Sequence, residues 1–116
     1  MSKYHAQISL PKFVRQALPK GTFELAYSQH ALSAAADDGI TPLLIQNLDT
    51  SKCILIEVET NNQDIHKVVY RILTGTRVDL CIAVVVNEGL PWRVKTVWAN
   101  DRNDRHKTLR KHLYDT

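Results

Sequence analysis

The sequence predicts an α+β domain: short N-terminal helices followed by a four-stranded antiparallel meander sheet, with a basic C-terminal tail. Helix signals are confined to the first half of the chain, and four strand-like segments follow them. The connectors NNQD, TGTRVD and NEGLP are short and carry Asn or Gly, as β-hairpin connections do. At 116 residues the chain has the size of one domain, so we expect a single unit over residues 1–116.

The first elements are marked by two prolines. Residues 5–10 (HAQISL) are compatible with a short strand, and Pro11 then opens a short helix over PKFVRQAL. Pro19 must end that helix, since proline cannot continue it. Residues 22–27 are ambiguous between a strand and an approach to the next helix.

The clearest helix is predicted over residues 28–38. Ser28 is a good N-cap, the following residues are rich in alanine, and Gly39 is the expected C-terminal stop. We expect the helical region to extend over residues 40–48, with a restart at Pro42.

Four strands are predicted at residues 52–60, 66–73, 80–87 and 92–99. The segment 80–87 (LCIAVVVN) is apolar on both faces, which places it at the centre of the sheet. Alternation along 52–60 puts Ile54, Ile56 and Val58 on one face.

On the last strand, alternation sets Val94, Thr96 and Trp98 against Arg93, Lys95 and Val97. Lys95 should then share the open face of the sheet with Arg71 and Lys67. Three cations on one face would form a platform for phosphate groups.

Composition excludes several classes of protein. Hydrophobic residues make up 44% and charged residues 23% of the chain, values typical of a globular domain rather than a disordered chain. There is no run of 18 apolar residues and no signal-peptide pattern, so we expect a cytoplasmic protein without a membrane span. Cys53 and Cys81 lie in apolar strand-like runs and are interpreted as buried thiols in a reducing compartment.

Positive charge is concentrated near the C-terminus. The whole chain carries a net charge of +3, yet residues 93–112 hold seven basic and two acidic residues, or +5. Such clustering is typical of a surface for an anionic partner, although a solvated basic helix has the same composition.

The segments YSQHALSAAADDGI (residues 27–40) and VKTVW (residues 94–98) give the chain a resemblance to small RelE-like folds. These folds belong to the barnase–EndoU–colicin–RelE ribonuclease superfamily, and compact phage-encoded proteins share the same appearance. The resemblance spans about residues 27–100. It implies RNA binding or RNA cleavage in the cytoplasm without a metal, and a RelE-like domain followed by a basic tail at residues 101–116.

Metal-independent RNA cleavage requires a base, an acid and a cation beside the phosphate. We expect His106 to be the main proton-transfer residue, because Asp104, Lys107 and Thr108 are its neighbours in sequence. The other candidate catalytic residues are His30, Lys95 and Thr108. The candidate nucleic-acid contacts are basic: Arg71, Arg93, Arg102, Arg105, Lys107, Arg110 and Lys111.

No metal or cofactor is expected, since the chain has no CxxC or HExxH pattern and no glycine-rich phosphate loop. The leading functional prediction is therefore an RNA-directed protein, in its most specific form a metal-independent endoribonuclease toxin that acts by histidine-mediated proton transfer. Its partners would be RNA or another polyanion, and a cognate antitoxin or immunity protein. The alternative is a non-catalytic phage or mobile-element inhibitor that binds a host protein or nucleic acid.

Overall fold

The computed structural model describes residues 2–5, 10–18, 20–62, 64–74, 78–86 and 91–101. It contains two α-helices, seven strands and two 3-10 turns within those residues, the turns at Thr41–Leu43 and Thr50–Lys52. In chain order the helices and strands are β1 (Ser2–His5), α1 (Lys12–Ala17), β2 (Thr22–Tyr27), α2 (Gln29–Asp37), β3 (Asn47–Asp49), β4 (Cys53–Asn61), β5 (Asp64–Leu73), β6 (Val78–Val85) and β7 (Trp92–Asp101).

The predicted fold class is wrong, because the sheet has seven strands of mixed direction and is the dominant element. Its strand order is β1-β4-β5-β6-β7-β2-β3, and β2 runs parallel to β7. β4 to β7 do pair antiparallel in chain order, and β6 lies in the middle of the sheet, as its two apolar faces indicate. β1 and β3 are not predicted, since they have four and three residues, too few to show a period, and the sequence of β2 is ambiguous. The predicted helical extension over residues 40–48 is wrong, because only the 3-10 turn at Thr41–Leu43 is helical there and β3 begins at Asn47.

The sheet must curl, because β3 and β4 are distant in strand order but adjacent in sequence. In a flat sheet their five intervening spacings would separate them by roughly 24 Å. Only Thr50–Lys52 connects them, and so short a link spans at most about 14 Å. The sheet therefore bends into a half-barrel that brings its β3 edge back toward β4.

The main core fills the inner side of this curl, where both helices lie. Leu48 of β3 and Val58 of β4 belong to one buried cluster although their strands lie near opposite edges of the sheet. α1 contributes Val14 and α2 contributes Ala31 and Ala35, all three fully buried. Neither helix is long and apolar enough to cross a membrane, which holds for the described part of the chain.

Two β-bulges change the faces predicted from simple alternation. The register between β4 and β5 shifts between Leu55 and Glu57, so Ile56 leaves the main core. Ile56 instead joins a small second cluster with Val69 and Ala83 on the outer side of the sheet. A bulge inserts one residue without a partner, and a period-2 pattern cannot reveal it.

The bulge between β6 and β7 has the same effect on the last strand. It lets both Val94 and Val97 enter the main core, three positions apart. Thr96 and Trp98 then pair with Ala83 and Cys81, and Trp98 packs on the second cluster.

Helix α2 begins and ends as the sequence predicts. The Ser28 hydroxyl accepts a hydrogen bond from the Ala31 amide at 3.1 Å, and Gly39 follows the helix with a φ of +70°. A left-handed φ favours glycine, since other residues are strained there.

Replacing Ser28 by Ala is expected to cost about 1 kcal/mol of unfolding free energy, because the Ala31 amide loses its acceptor. Urea denaturation of the variant measures this cost. Ser33→Ala is the matched control, since Ser33 is exposed within the same helix and Ala favours helix. Equal stability of the two variants would contradict a capping role for Ser28.

Candidate nucleic-acid interface

Helix α2 starts directly beside strand β7. The parallel pairing of β2 with β7 sets Ala26 opposite Arg93 and Tyr27 opposite Val94. The Ser28 amide then donates to the Val94 carbonyl at 3.0 Å, and the Ser28 hydroxyl donates to the Lys95 carbonyl at 3.4 Å. The first turn of α2 is thereby fixed against the middle of β7.

Three exposed basic or titratable side chains belong to the two elements joined here, and we call His30, Arg93 and Lys95 the α2–β7 corner. His30 lies two residues after the Ser28 cap, and Lys95 is the extra residue of the β7 bulge. Within the described residues, none of the three takes part in an ion pair. Two of the four predicted catalytic residues, His30 and Lys95, thus lie on the two elements that Ser28 joins by hydrogen bonds.

The other two predicted catalytic residues lie outside the described residues. These are His106 and Thr108, and the same holds for the predicted tail contacts Arg102, Arg105, Lys107, Arg110 and Lys111. β7 ends at Asp101, so that basic stretch follows the strand that carries Arg93 and Lys95.

Two of the three cations expected to form a phosphate platform, Lys67 and Arg71, are paired with carboxylates on the outer side of the sheet, whereas Lys95 makes no ion pair within the described residues. The Lys67 ammonium lies 3.6 Å from Glu59, and the Lys3 ammonium lies 3.9 Å from the same carboxylate. Lys3 also lies 4.0 Å from Glu57, whose side chain is only 5% exposed. This face is therefore a mixed-charge network rather than a positive platform.

Arg71 is part of that mixed-charge face and is buried. Its Nε donates to the Asp79 carboxylate at 2.7 Å, and its Nη2 donates to the Asp101 carbonyl at 3.0 Å. Arg71 is 6% exposed and Asp79 is 2% exposed. With these bonds the Arg71 guanidinium holds β5, β6 and the end of β7 together. Because it is buried, it is not available to a ligand at the surface.

Sequence reasoning missed the partners of these cations. Alternation did place Glu57 and Glu59 on the face opposite Val58, but it could not show that this face is shared with Lys3 and Lys67. The direct pairings Lys3 to Glu59 and Glu59 to Lys67 depend on strand order and register. The charges alternate across three neighbouring strands, and this pattern can be recognised only when the strand order and register are known.

Neither cysteine is suited to act as a nucleophile. Burial raises the pKa of the Cys53 thiol to about 11 and that of the Cys81 thiol to about 12. Nucleophilic cysteines have lowered pKa values, since the thiolate is the reactive form. Burial also raises the pKa of Tyr27 and Tyr70, which keeps both phenols protonated at neutral pH.

Trp92 is not available for stacking on a base. Its ring is 8% exposed and packs on Phe23 with ring centroids 4.8 Å apart. Among the described residues, no group of three or more His, Cys, Asp or Glu side chains is arranged to hold a metal ion.

Comparison with known proteins found no relative of this chain. No protein-family model, curated protein or solved structure matches this chain.

Proposed function

We propose that this protein acts on RNA and that it holds the phosphate backbone at the α2–β7 corner. The observation that carries the proposal is that Ser28 bonds the start of α2 to β7, the two elements that carry His30, Arg93 and Lys95. All three side chains are exposed and make no ion pair in the described part of the chain. Exposed cations of this kind attract phosphate groups, whereas paired ones are already neutralised.

The charge distribution along the chain supports the same surface. Arg93 and Lys95 begin the stretch of residues 93–112 with net charge +5, and β7 leads directly into the rest of it. The remaining cations of the outer face, Lys3, Lys67 and Arg71, are balanced by acidic partners. RNA binding is therefore concentrated at β7 and at the segment that follows it.

In its more specific form, the proposal is metal-independent cleavage of RNA. In this cleavage the 2′-oxygen attacks the adjacent phosphate and the 5′-oxygen leaves. It requires proton-transfer residues, to take the 2′-OH proton and to protonate the 5′-oxygen, and a cation beside the phosphate. His30 and Lys95 supply one group of each kind at the corner, and His106 and Thr108 are the candidates in the segment after β7. The unlinked thiols Cys53 and Cys81 fit a reducing compartment, so we place this activity in the cytoplasm.

The double variant Arg93→Ala, Lys95→Ala is expected to bind single-stranded RNA more weakly and with a smaller salt dependence. Two lost phosphate contacts should reduce the slope of log affinity against log salt by about 1.4, at about 0.7 for each contact. Fluorescence anisotropy with a labelled oligonucleotide at several salt concentrations measures that slope.

Lys12→Ala, Arg15→Ala is the matched control, since it removes the same charge from exposed positions of α1. It should leave the slope close to that of the unaltered chain. Equal loss in both double variants would show that net charge alone matters and would contradict a specific site at the corner. A non-catalytic inhibitor of a host protein would show no salt-dependent RNA binding in either.

A further inference from the structure

A pocket of about 400 Å³ opens where the half-barrel fails to close. It lies between the segment 42–53 and the end of β5, on the side of the molecule where β3 turns back toward β4. Partly open barrels commonly hold small ligands at such mouths, and a volume of this order suits a small organic molecule.

The walls of this mouth are largely apolar. Leu43, Ile45, Cys53, Ile72 and Leu73 are five of the ten lining residues, and Pro42 is a sixth apolar one. Leu73 is 51% exposed at this wall. An apolar ligand body would cover this surface and remove it from water.

Hydrogen bonds between side-chain hydroxyls and the backbone hold the segment that borders the mouth. The Tyr27 hydroxyl donates to the Ile45 carbonyl and accepts from the Ile45 amide at 3.1 Å. The Thr50 hydroxyl accepts from the Gly21 amide at 3.0 Å and donates to the Gly21 carbonyl at 3.1 Å. Ile45 and Thr50, in the segment that borders the pocket, are therefore bonded to Tyr27 of β2 and to Gly21 just before β2. The pocket is thus formed without a ligand.

The polar rim carries the Asp49 carboxylate and the Lys52 ammonium, and the charge of Lys52 is the least of the causes that lower the pKa of Asp49. Asp49 accepts from the Ser51 amide at 3.0 Å and from the Ser51 hydroxyl at 2.7 Å, and these bonds lower the pKa of the carboxyl group. Lys52 is exposed and makes no ion pair within the described residues. Asn47, also on the rim, adds an exposed side-chain amide.

We propose that this mouth binds a small monocarboxylate with an aliphatic body. The body lies on Ile45, Ile72 and Leu73, and the carboxylate pairs with the Lys52 ammonium. This site is separate from the α2–β7 corner and does not depend on RNA binding there.

Octanoate is the probe that tests this site, and octanamide and octylamine are its neutral and cationic counterparts. Titrations followed by amide chemical shifts should show octanoate bound, octanamide about tenfold weaker and octylamine weaker still, since a charge-assisted bond is lost. Lys52→Ala should lower octanoate affinity to the level of octanamide. Lys20→Ala, at another exposed lysine, should leave it unchanged.

The apolar wall is tested by Leu73→Ser, which should weaken all three probes by a similar factor of about tenfold. Leu32→Ser is its control, because Leu32 is 41% exposed on α2 and does not line the pocket. Absence of octanoate binding at millimolar concentration would overturn the proposal. Equal affinity in Lys52→Ala and the unaltered chain would also overturn it.

Discussion

Replacing Asp79 by Ala is expected to destabilise the protein by about 3–5 kcal/mol, because it leaves the Arg71 guanidinium buried without its carboxylate. The two groups are 6% and 2% exposed and are joined at 2.7 Å. The Arg71 Nη2 also donates to the Asp101 carbonyl at 3.0 Å. Urea denaturation with a fixed m-value measures the change in unfolding free energy.

Two further variants separate the ion pair from general effects of losing a carboxylate. Asp37→Ala removes the same group from an exposed position of α2 and should change stability by less than about 0.5 kcal/mol. Arg71→Met, Asp79→Leu removes both charges together and should be markedly more stable than Asp79→Ala alone. A cost below about 1 kcal/mol for Asp79→Ala would contradict the assignment of this pair as a buried structural contact.

This pair bears directly on the proposed function. If Arg71 supports the sheet, Arg71→Ala should lower stability first and reduce RNA binding only as far as the folded fraction falls. If it contacts phosphate, binding would fall while the unfolding free energy stayed constant. Measuring the RNA affinity and the unfolding free energy of Arg71→Ala shows whether phosphate binds at the outer face of the sheet or at the α2–β7 corner.

The elements that the sequence predicted correctly are those determined by residues close together in the chain. The Ser28 cap and the Gly39 stop are short-range features, and the apolar run of β6 requires burial on both sides wherever it lies. The arrangement of the strands could not be predicted, because the parallel pairing of β2 with β7 joins residues about 67 positions apart. Nothing local to either strand encodes that contact.

For the candidate site, too, the residues could be predicted from the sequence but their arrangement could not. The cations Arg93 and Lys95 could be identified from charge clustering, and His30 from its place in a well-defined helix. The elements that carry them adjoin through the hydrogen bonds from Ser28 to β7, which follow from strand order. Arg71 was assigned to phosphate binding because sequence shows a charge but not its partner, and Asp79 lies across a hairpin on the next strand.

Replacing His30 by Ala is expected to lower the rate of RNA cleavage by about 10²–10⁴-fold, the usual contribution of a proton-transfer residue. The assay uses a single-stranded RNA in EDTA between about pH 5 and pH 8, where histidines change charge. His66→Ala is the matched control, because His66 is exposed on β5 and lies outside the corner. It should cleave at the rate of the unaltered chain, and both variants should keep their unfolding free energy.

The role of His30 can be separated from that of His106, the candidate that follows β7 in sequence. If the two act as base and acid in one reaction, each single variant should lose most of the activity, and the double variant should lose little more. If His106 works alone, His30→Ala should cleave normally and His106→Ala should carry the whole loss. An unaltered chain that leaves RNA intact across this pH range would remove the enzyme from the proposal. The proposal would then be limited to salt-dependent RNA binding at Arg93 and Lys95, because phosphate recognition at the α2–β7 corner requires no proton transfer.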